Sequence, residues 1–215
     1  SVRLLEGWTF HRFRAELAMA EALKPTTAMM SDSEIMERLG AAGVPPEGRF
    51  FPDTYFYSRG SKDFAVLEQA YRAMQSRLHS AWNERAADTP LRSADDALIL
   101  ASIVEKETGA SAERGWVASV FVNRLRIGMP LQTDPTVIYG LGNRFDGNLR
   151  KRDLLADTPF NTYTRNGLPP TPISMPGKDS LLAAVRPQQT KALYFVAKGD
   201  GSSQFSETLA EHNRA

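Results

Sequence analysis

The stretch Asp95–Gly109, DDALILASIVEKETG, decides how the rest of this chain is arranged. Ser93, Asp95 and Asp96 are N-cap or first-turn residues and Gly109 can supply a left-handed closing turn, so the pattern predicts one helix. At about 100° per residue, Leu98, Ala101, Ser102 and Glu105 share one face, Ile99 and Ile103 a second, Leu100 and Val104 a third. No face between Ala97 and Val104 carries a charge. A helix that is apolar on every side is expected in the middle of a domain. Glu105 therefore falls at the inner end of a core helix. A carboxylate placed there either has a partner or is driven towards its protonated form by desolvation, and the second state is what a general acid uses. Glu107 points roughly 200° away on the same geometry, so the two cannot converge on one substrate bond. The structural alternative for Glu105 is an ion pair with an arginine such as Arg114 or Arg124.

With 215 residues, 42% of them apolar, the chain can bury one sizeable core, or one core and a small appendage. Its 26 basic and 25 acidic residues leave a net charge of +1, which gives no field to draw it to nucleic acid. There is no cysteine, and His11, His79 and His212 stand far apart with no HExxH spacing, so neither a metal nor another cofactor is expected. No apolar run approaches the roughly 18 residues of a membrane span, and no leader pattern is present. The chain begins without methionine, at SVRLLEGWT, as an excised fragment would, from which an N-terminal anchor could have been removed.

Before the organising helix, Val2–Glu6 reads as a short strand and Thr9–Leu23 as a helix with Phe10, Phe13 and Leu17 on its apolar face and Thr9 as cap. Ser33–Leu39 reads as a second helix capped by Ser31 or Ser33. Val44–Gly60 is dense in aromatics: Phe50, Phe51, Tyr55, Phe56 and Tyr57. They are either a core hairpin or a platform on which sugar rings stack, with Asp53 and Arg49 at hand for hydroxyls. Asp63–Arg85 is a long amphipathic helix.

After Gly109, Glu113–Leu125 reads as a helix stopped by Gly128, making a helical hairpin with its predecessor. Beyond it, MPLQTDPTVIYGLG and NTYTRNGLPPTPISMPG (Asn161–Gly177) read as irregular loops rich in donors and acceptors. Ser180–Val185 is a short helix, Ala192–Lys198 a buried strand, Gln204–Phe205 the start of a return strand, and Glu207–Arg214 a terminal helix. The fold class expected is α+β: a mainly helical domain around a buried helix, edged by short strands, with long irregular loops forming a cleft.

Five blocks, EGRFFPDTYFY (Glu47–Tyr57), ASIVEKET (Ala101–Thr108), Val117–Gly140, Asn161–Gly177 and Leu193–Asn213, resemble those of the YceG-like family in the family's own order. The resemblance implies an endolytic lytic transglycosylase. Such an enzyme cuts the MurNAc–GlcNAc β-1,4 bond within nascent, uncrosslinked peptidoglycan, leaves 1,6-anhydro-MurNAc ends and so limits strand length. It also implies a catalytic domain over 44–215. Residues 1–43 would hold a remnant strand of a LysM-like subdomain and a helical lead-in. The family's catalytic glutamate maps onto Glu105. Peptidoglycan strands and penicillin-binding proteins are the implied partners, with the protein held at the periplasmic face of the inner membrane by a single-pass anchor.

Such a reaction needs one carboxyl, because the substrate's own 6-hydroxyl replaces the water that a two-carboxyl glycosidase activates. Glu113 and Asp134 are nonetheless candidate partners for Glu105. Gln132, Asn161 and Tyr163 are candidates for sugar binding or for orienting Glu105, Asn123 for reaching it across the hairpin, and Tyr55 for the aromatic platform. Asp134 has a second reading as a turn carboxylate before Pro135. The competing functions are a muramidase that uses water, and a glycan-binding scaffold in which Glu105 is structural.

Overall fold

The computed structural model describes residues 1–215 and is mainly helical, with two small antiparallel sheets. The helices are α1 (Phe10–Met19), α2 (Asp32–Arg38), α3 (Asp63–Asn83), α4 (Ala94–Glu107), α5 (Arg114–Ile127), α6 (Asp134–Leu141), α7 (Lys151–Leu155), α8 (Lys178–Val185) and α9 (Leu209–Arg214). Strands β1 (Val2–Arg3) and β2 (Thr54–Tyr55) pair with each other, as do β3 (Tyr194–Ala197) and β4 (Ser203–Ser206). No helix is long and apolar enough to cross a membrane.

Capping fixes where the N-terminal halves of these helices begin. Thr9 accepts the Arg12 amide at α1, Ser31 and Glu34 form a reciprocal box at α2, and Ser93 accepts the Asp96 amide at α4. Every residue of α4 from Ala97 to Val104 is buried, as the absence of a charged face predicts. α8 lies along α4, with α3 and α5 completing the surround.

Apolar burial divides into two clusters. One gathers the C-terminal half of α3 (Met74, Leu78, Ala81) with α4, α5 and α8. The other gathers β1, α1 and α2 with Phe50, Tyr55 and the first half of α3 (Val66, Leu67, Ala70), so it draws on both sides of residue 43. The 21-residue α3 thus belongs to both. The segment from Ile173 to Met175 does too, giving Ile173 to the first cluster and Met175 to the second.

Several expectations are corrected. Gly109 does not close α4: Thr108 is the cap, extended at φ −84°, ψ 111°, and its hydroxyl donates to the Val104 carbonyl at 2.6 Å. A left-handed glycine does end α5, at Gly128 (φ 72°). The aromatic segment is not a hairpin, since its strand pairs with β1. Phe50, Phe51 and Tyr55 are core, while Phe56 is 77% exposed. The expected buried strand at Ala192–Lys198 is a half-exposed hairpin arm, with Phe195 packed edge-on to Phe121 and Tyr194 stacked on His212. The stretch read as loop around Asp134 is helix α6. Pro135 at its first turn gives up an amide that has no partner there anyway, and Gly140 in its last turn does not break it.

Candidate active site

The site forms where the two clusters meet. Ser102, fully buried on α4, donates its hydroxyl to the Ile99 carbonyl and accepts the Ile173 amide at 3.0 Å, while its carbonyl accepts the Ser174 hydroxyl at 3.0 Å. On the other side of the same segment, the Gly7 amide donates to the Met175 carbonyl at 2.9 Å and the Met175 amide to the Trp8 carbonyl at 2.8 Å. Residues 173–177 are thereby clamped between α4 and the chain entering α1.

One turn beyond Ser102, this clamp delivers the α8 N-terminus to Glu105. Glu105 Oε1 accepts the Gly177 amide at 2.9 Å and the Ser180 hydroxyl at 3.1 Å. The positive end of the α8 dipole lies on the carboxylate as well. Arg114 Nη2 stands 3.9 Å from Glu105 Oε2, and its Nη1 stands 3.9 Å from Asp179. Both distances are too long for hydrogen bonds, and Arg114 Nε is buried without a partner, so this guanidinium acts on Glu105 as a nearby charge. The Glu105 side chain is only 9% exposed. Desolvation alone is therefore not its environment: of the two outcomes open to a carboxylate at the end of a core helix, the structure realises the partnered one. Arg124, the other arginine considered, is turned elsewhere, donating to the carbonyls of Pro130, Leu131 and Leu193.

Glu107, on the opposite face, has none of these partners. Burial pushes its carboxyl up to about 7, the negative charge of Asp134 adds to the rise, and Thr133 opposes it. Asp134, the first residue of α6, accepts the Tyr163 hydroxyl. Burial and that bond raise the Tyr163 phenol above its ordinary range. Asp134 and Tyr163 are thus brought together, on the Glu107 side of the helix end. Gln132 is nearby in the chain, exposed and held at φ 50°, with its amide bonded to the Thr162 carbonyl and its side chain free.

The remaining candidates are placed elsewhere. Asn161 is 1% exposed: its amide nitrogen donates to the carbonyls of Leu154 and Ala156, and its oxygen accepts the amides of Tyr163 and Thr164. It shapes the loop that carries Tyr163 and has no free position for a sugar. Asn123 ties α5 to the carbonyls of Thr190 and Ala192, in a polar cavity of about 460 Å³ that does not include Glu105. Glu113 accepts the Ser203 amide with both oxygens, anchoring the β3–β4 hairpin. Tyr55 is buried and donates to the Phe51 carbonyl. Reading the sequence alone missed Gly177 and Ser180. They come from a distant stretch, and no local pattern links them to Glu105.

Beside this helix end lies a groove of about 680 Å³, lined among others by Pro46, Glu47, Lys106, Ile138, Tyr139 and Phe160. Its mixture of aromatic, aliphatic and a few polar groups is that of a ligand groove. Burial pushes the Glu47 carboxyl up to about 7, against the opposing bond from the Phe10 amide at 2.7 Å and the Tyr139 hydroxyl.

Taken together, a mainly helical α+β chain whose central helix ends on a fixed carboxylate, with a groove lined by the neighbouring Lys106 of the same helix, defines an enzyme-like class of fold and site. The chain belongs to the YceG-like family, which matches it over residues 1–215. A YceG-like protein of Listeria monocytogenes, known from a crystal structure, superposes with a TM-score of 0.82 at 30% identity, over 99% of this chain and 75% of that one. The endolytic murein transglycosylase of Bacillus subtilis is 42% identical over 173 residues, covering 80% of this chain and 47% of that protein. That of Streptococcus pneumoniae D39 is 28% identical over 173 residues, covering 78% and 31%. The chain thus spans about half the length of one relative and about a third of the other.

Proposed function

We propose that this chain is the catalytic region of a lytic transglycosylase. It would cut the MurNAc–GlcNAc β-1,4 bond inside uncrosslinked peptidoglycan strands, with Glu105 as the only proton-transferring carboxyl. The observation that carries the reading is the seat of Glu105: the end of a buried helix, with two donors and an arginine fixed around it. In the first step protonated Glu105 gives its proton to the glycosidic oxygen as the bond to the anomeric carbon breaks. The Gly177 amide, the Ser180 hydroxyl and the Arg114 charge all favour the carboxylate that this leaves, and being already in place they need no reorganisation. In the second step the 6-hydroxyl of the same MurNAc closes on the anomeric carbon and its proton passes to Glu105. The nucleophile is tethered, so no water has to be activated. The family and the relatives' names support this substrate and reaction class. An extracytoplasmic location, a membrane anchor outside these residues and an association with penicillin-binding proteins belong to the same proposal.

A second reading makes Glu107 the acid. It is favoured by the carboxyl's rise to about 7, the protonation a general acid needs near neutral pH, and by its place beside Asp134.

Mass spectrometry of uncrosslinked strands digested by the chain and by its Glu105→Gln variant tests the proposal. Anhydro-muramyl ends from internal cuts, lost in the variant, are expected. Reducing ends would mean a muramidase, and binding without cleavage by either protein a scaffold module.

A further inference from the structure

Gly177 is the meeting point of two carboxyls. Its amide is 2.9 Å from Glu105 Oε1. On its Cα side, where a Cβ would stand, lies Glu6: a Cβ there would be 2.2 Å from Glu6 Oε1 and 2.5 Å from Cδ. The chain around Glu6 is pinned. Gly7 and Trp8 bond to both backbone groups of Met175, and Lys106 Nζ reaches the Gly7 carbonyl at 3.4 Å. A Cβ on Gly7 would lie 3.9 Å from Glu105 Cγ, so this backbone rests against the stem of Glu105. Glu6 itself makes no hydrogen bond and no ion pair. Folding has brought an acidic side chain over a bare glycine next to another acid, with no structural partner to account for it.

We propose that Glu6 is a positioning residue for the reaction, its carboxyl set across Gly177 from Glu105 so that the two form a pair that resists ionising together, with Gly177 glycine because that pairing needs the space. This inference rests on Glu105 being the acid. Two carboxylates flanking one glycine resist double ionisation, and this repulsion is what couples Glu6 to the proton that Glu105 must carry. The groups around Glu6 are Glu105 and Lys106 from α4, Arg114 from α5 and Asp179 from α8. Burial raises the Glu6 carboxyl, the charge of Glu105 adds to the rise, Arg114 opposes it and Asp179 adds a smaller part. Proton balance is unchanged. Glu105 still gives its proton to the leaving oxygen and receives one from the 6-hydroxyl, while Glu6 fixes the pH range over which that proton is present.

The test follows the side-chain carboxyl carbon of Glu105 by 13C NMR against pH, in the parent chain, in Glu6→Gln and in Gly177→Ala. The added methyl of Gly177→Ala displaces the flexible Glu6 carboxyl and leaves the amide bond to Glu105 in place. Glu6 is exposed and Gly177 has φ −87°, so both variants are expected to fold. The pair predicts a two-step titration in the parent whose upper step disappears in both variants, a fall on the order of one pH unit. The alkaline limb of strand cleavage should fall with it. A titration unchanged in Glu6→Gln would overturn the pairing, and so would a rate lowered equally at every pH. Because the titration needs no turnover, a chain whose Glu105→Gln variant still cleaves strands would count against the acid assignment and not against the pairing.

Discussion

Glu105 and Glu107 are two residues apart on one helix and live in opposite conditions. Glu105 faces α8 and the entering chain, where an amide, a hydroxyl and a guanidinium surround it. Glu107 faces Thr133 and Asp134, where burial and a like charge dominate, and its carboxyl is pushed up to about 7. The helix places both carboxyls, and the segments packed on each face decide what each one does. A carboxylate amid fixed donors is prepared for the charge left by giving up a proton. One buried beside another acid holds its proton up to about neutral pH, and the fold loses stability as that proton leaves.

The largest effect expected from this contrast is on turnover. Glu105→Gln should slow strand cleavage by roughly a thousandfold and Glu107→Gln by less than about tenfold, measured on the same strands. The reverse order would hand the chemistry to Glu107.

Next comes stability against pH. Glu107 and Glu47 both titrate at about 7 in the fold against an ordinary 4.5. Each therefore gives its full stability below about 4.5 and loses it as pH rises to about 7, a loss on the order of 3 kcal/mol per group. Urea unfolding at pH 4 and pH 8 should show Glu107→Gln and Glu47→Gln each removing part of that decline. A decline as steep as the parent's would mean the two carboxyls ionise freely.

Ser102→Ala sharpens the Glu105 side. It leaves the buried Ile173 amide without its acceptor, and should cost about 1–3 kcal/mol in unfolding experiments. It should also lower turnover, because the same segment carries Gly177. The smallest effect expected is for Arg114→Gln. Since Arg114 makes no hydrogen bond to Glu105, its loss should slow cleavage by roughly tenfold with little change in the unfolding midpoint.

Much of this arrangement is legible in the sequence, and the limit is physical. The α4 pattern is periodic and local, so Ala97–Val104 read as buried and Glu105 as the residue at the inner end. α6 was hidden because Pro135 and Gly140 resemble loop residues when their places in a helix are unknown. Asn161 and Asn123 read as ligand groups because an amide that clamps backbone and one that binds a sugar are the same residue, separated only by where the fold puts the carbonyls. The two donors on Glu105 come from Gly177 and Ser180, which no spacing rule connects to it, whereas Arg114, close in the chain, was within reach of the sequence.

The proposed reaction has one carboxyl at the end of α4 break the glycosidic bond without water. Digesting uncrosslinked strands in water enriched in heavy oxygen and weighing the new ends tests it directly. A tethered 6-hydroxyl leaves anhydro ends carrying no heavy oxygen. Reducing ends labelled at the anomeric carbon would contradict it and call for a second carboxyl that activates water.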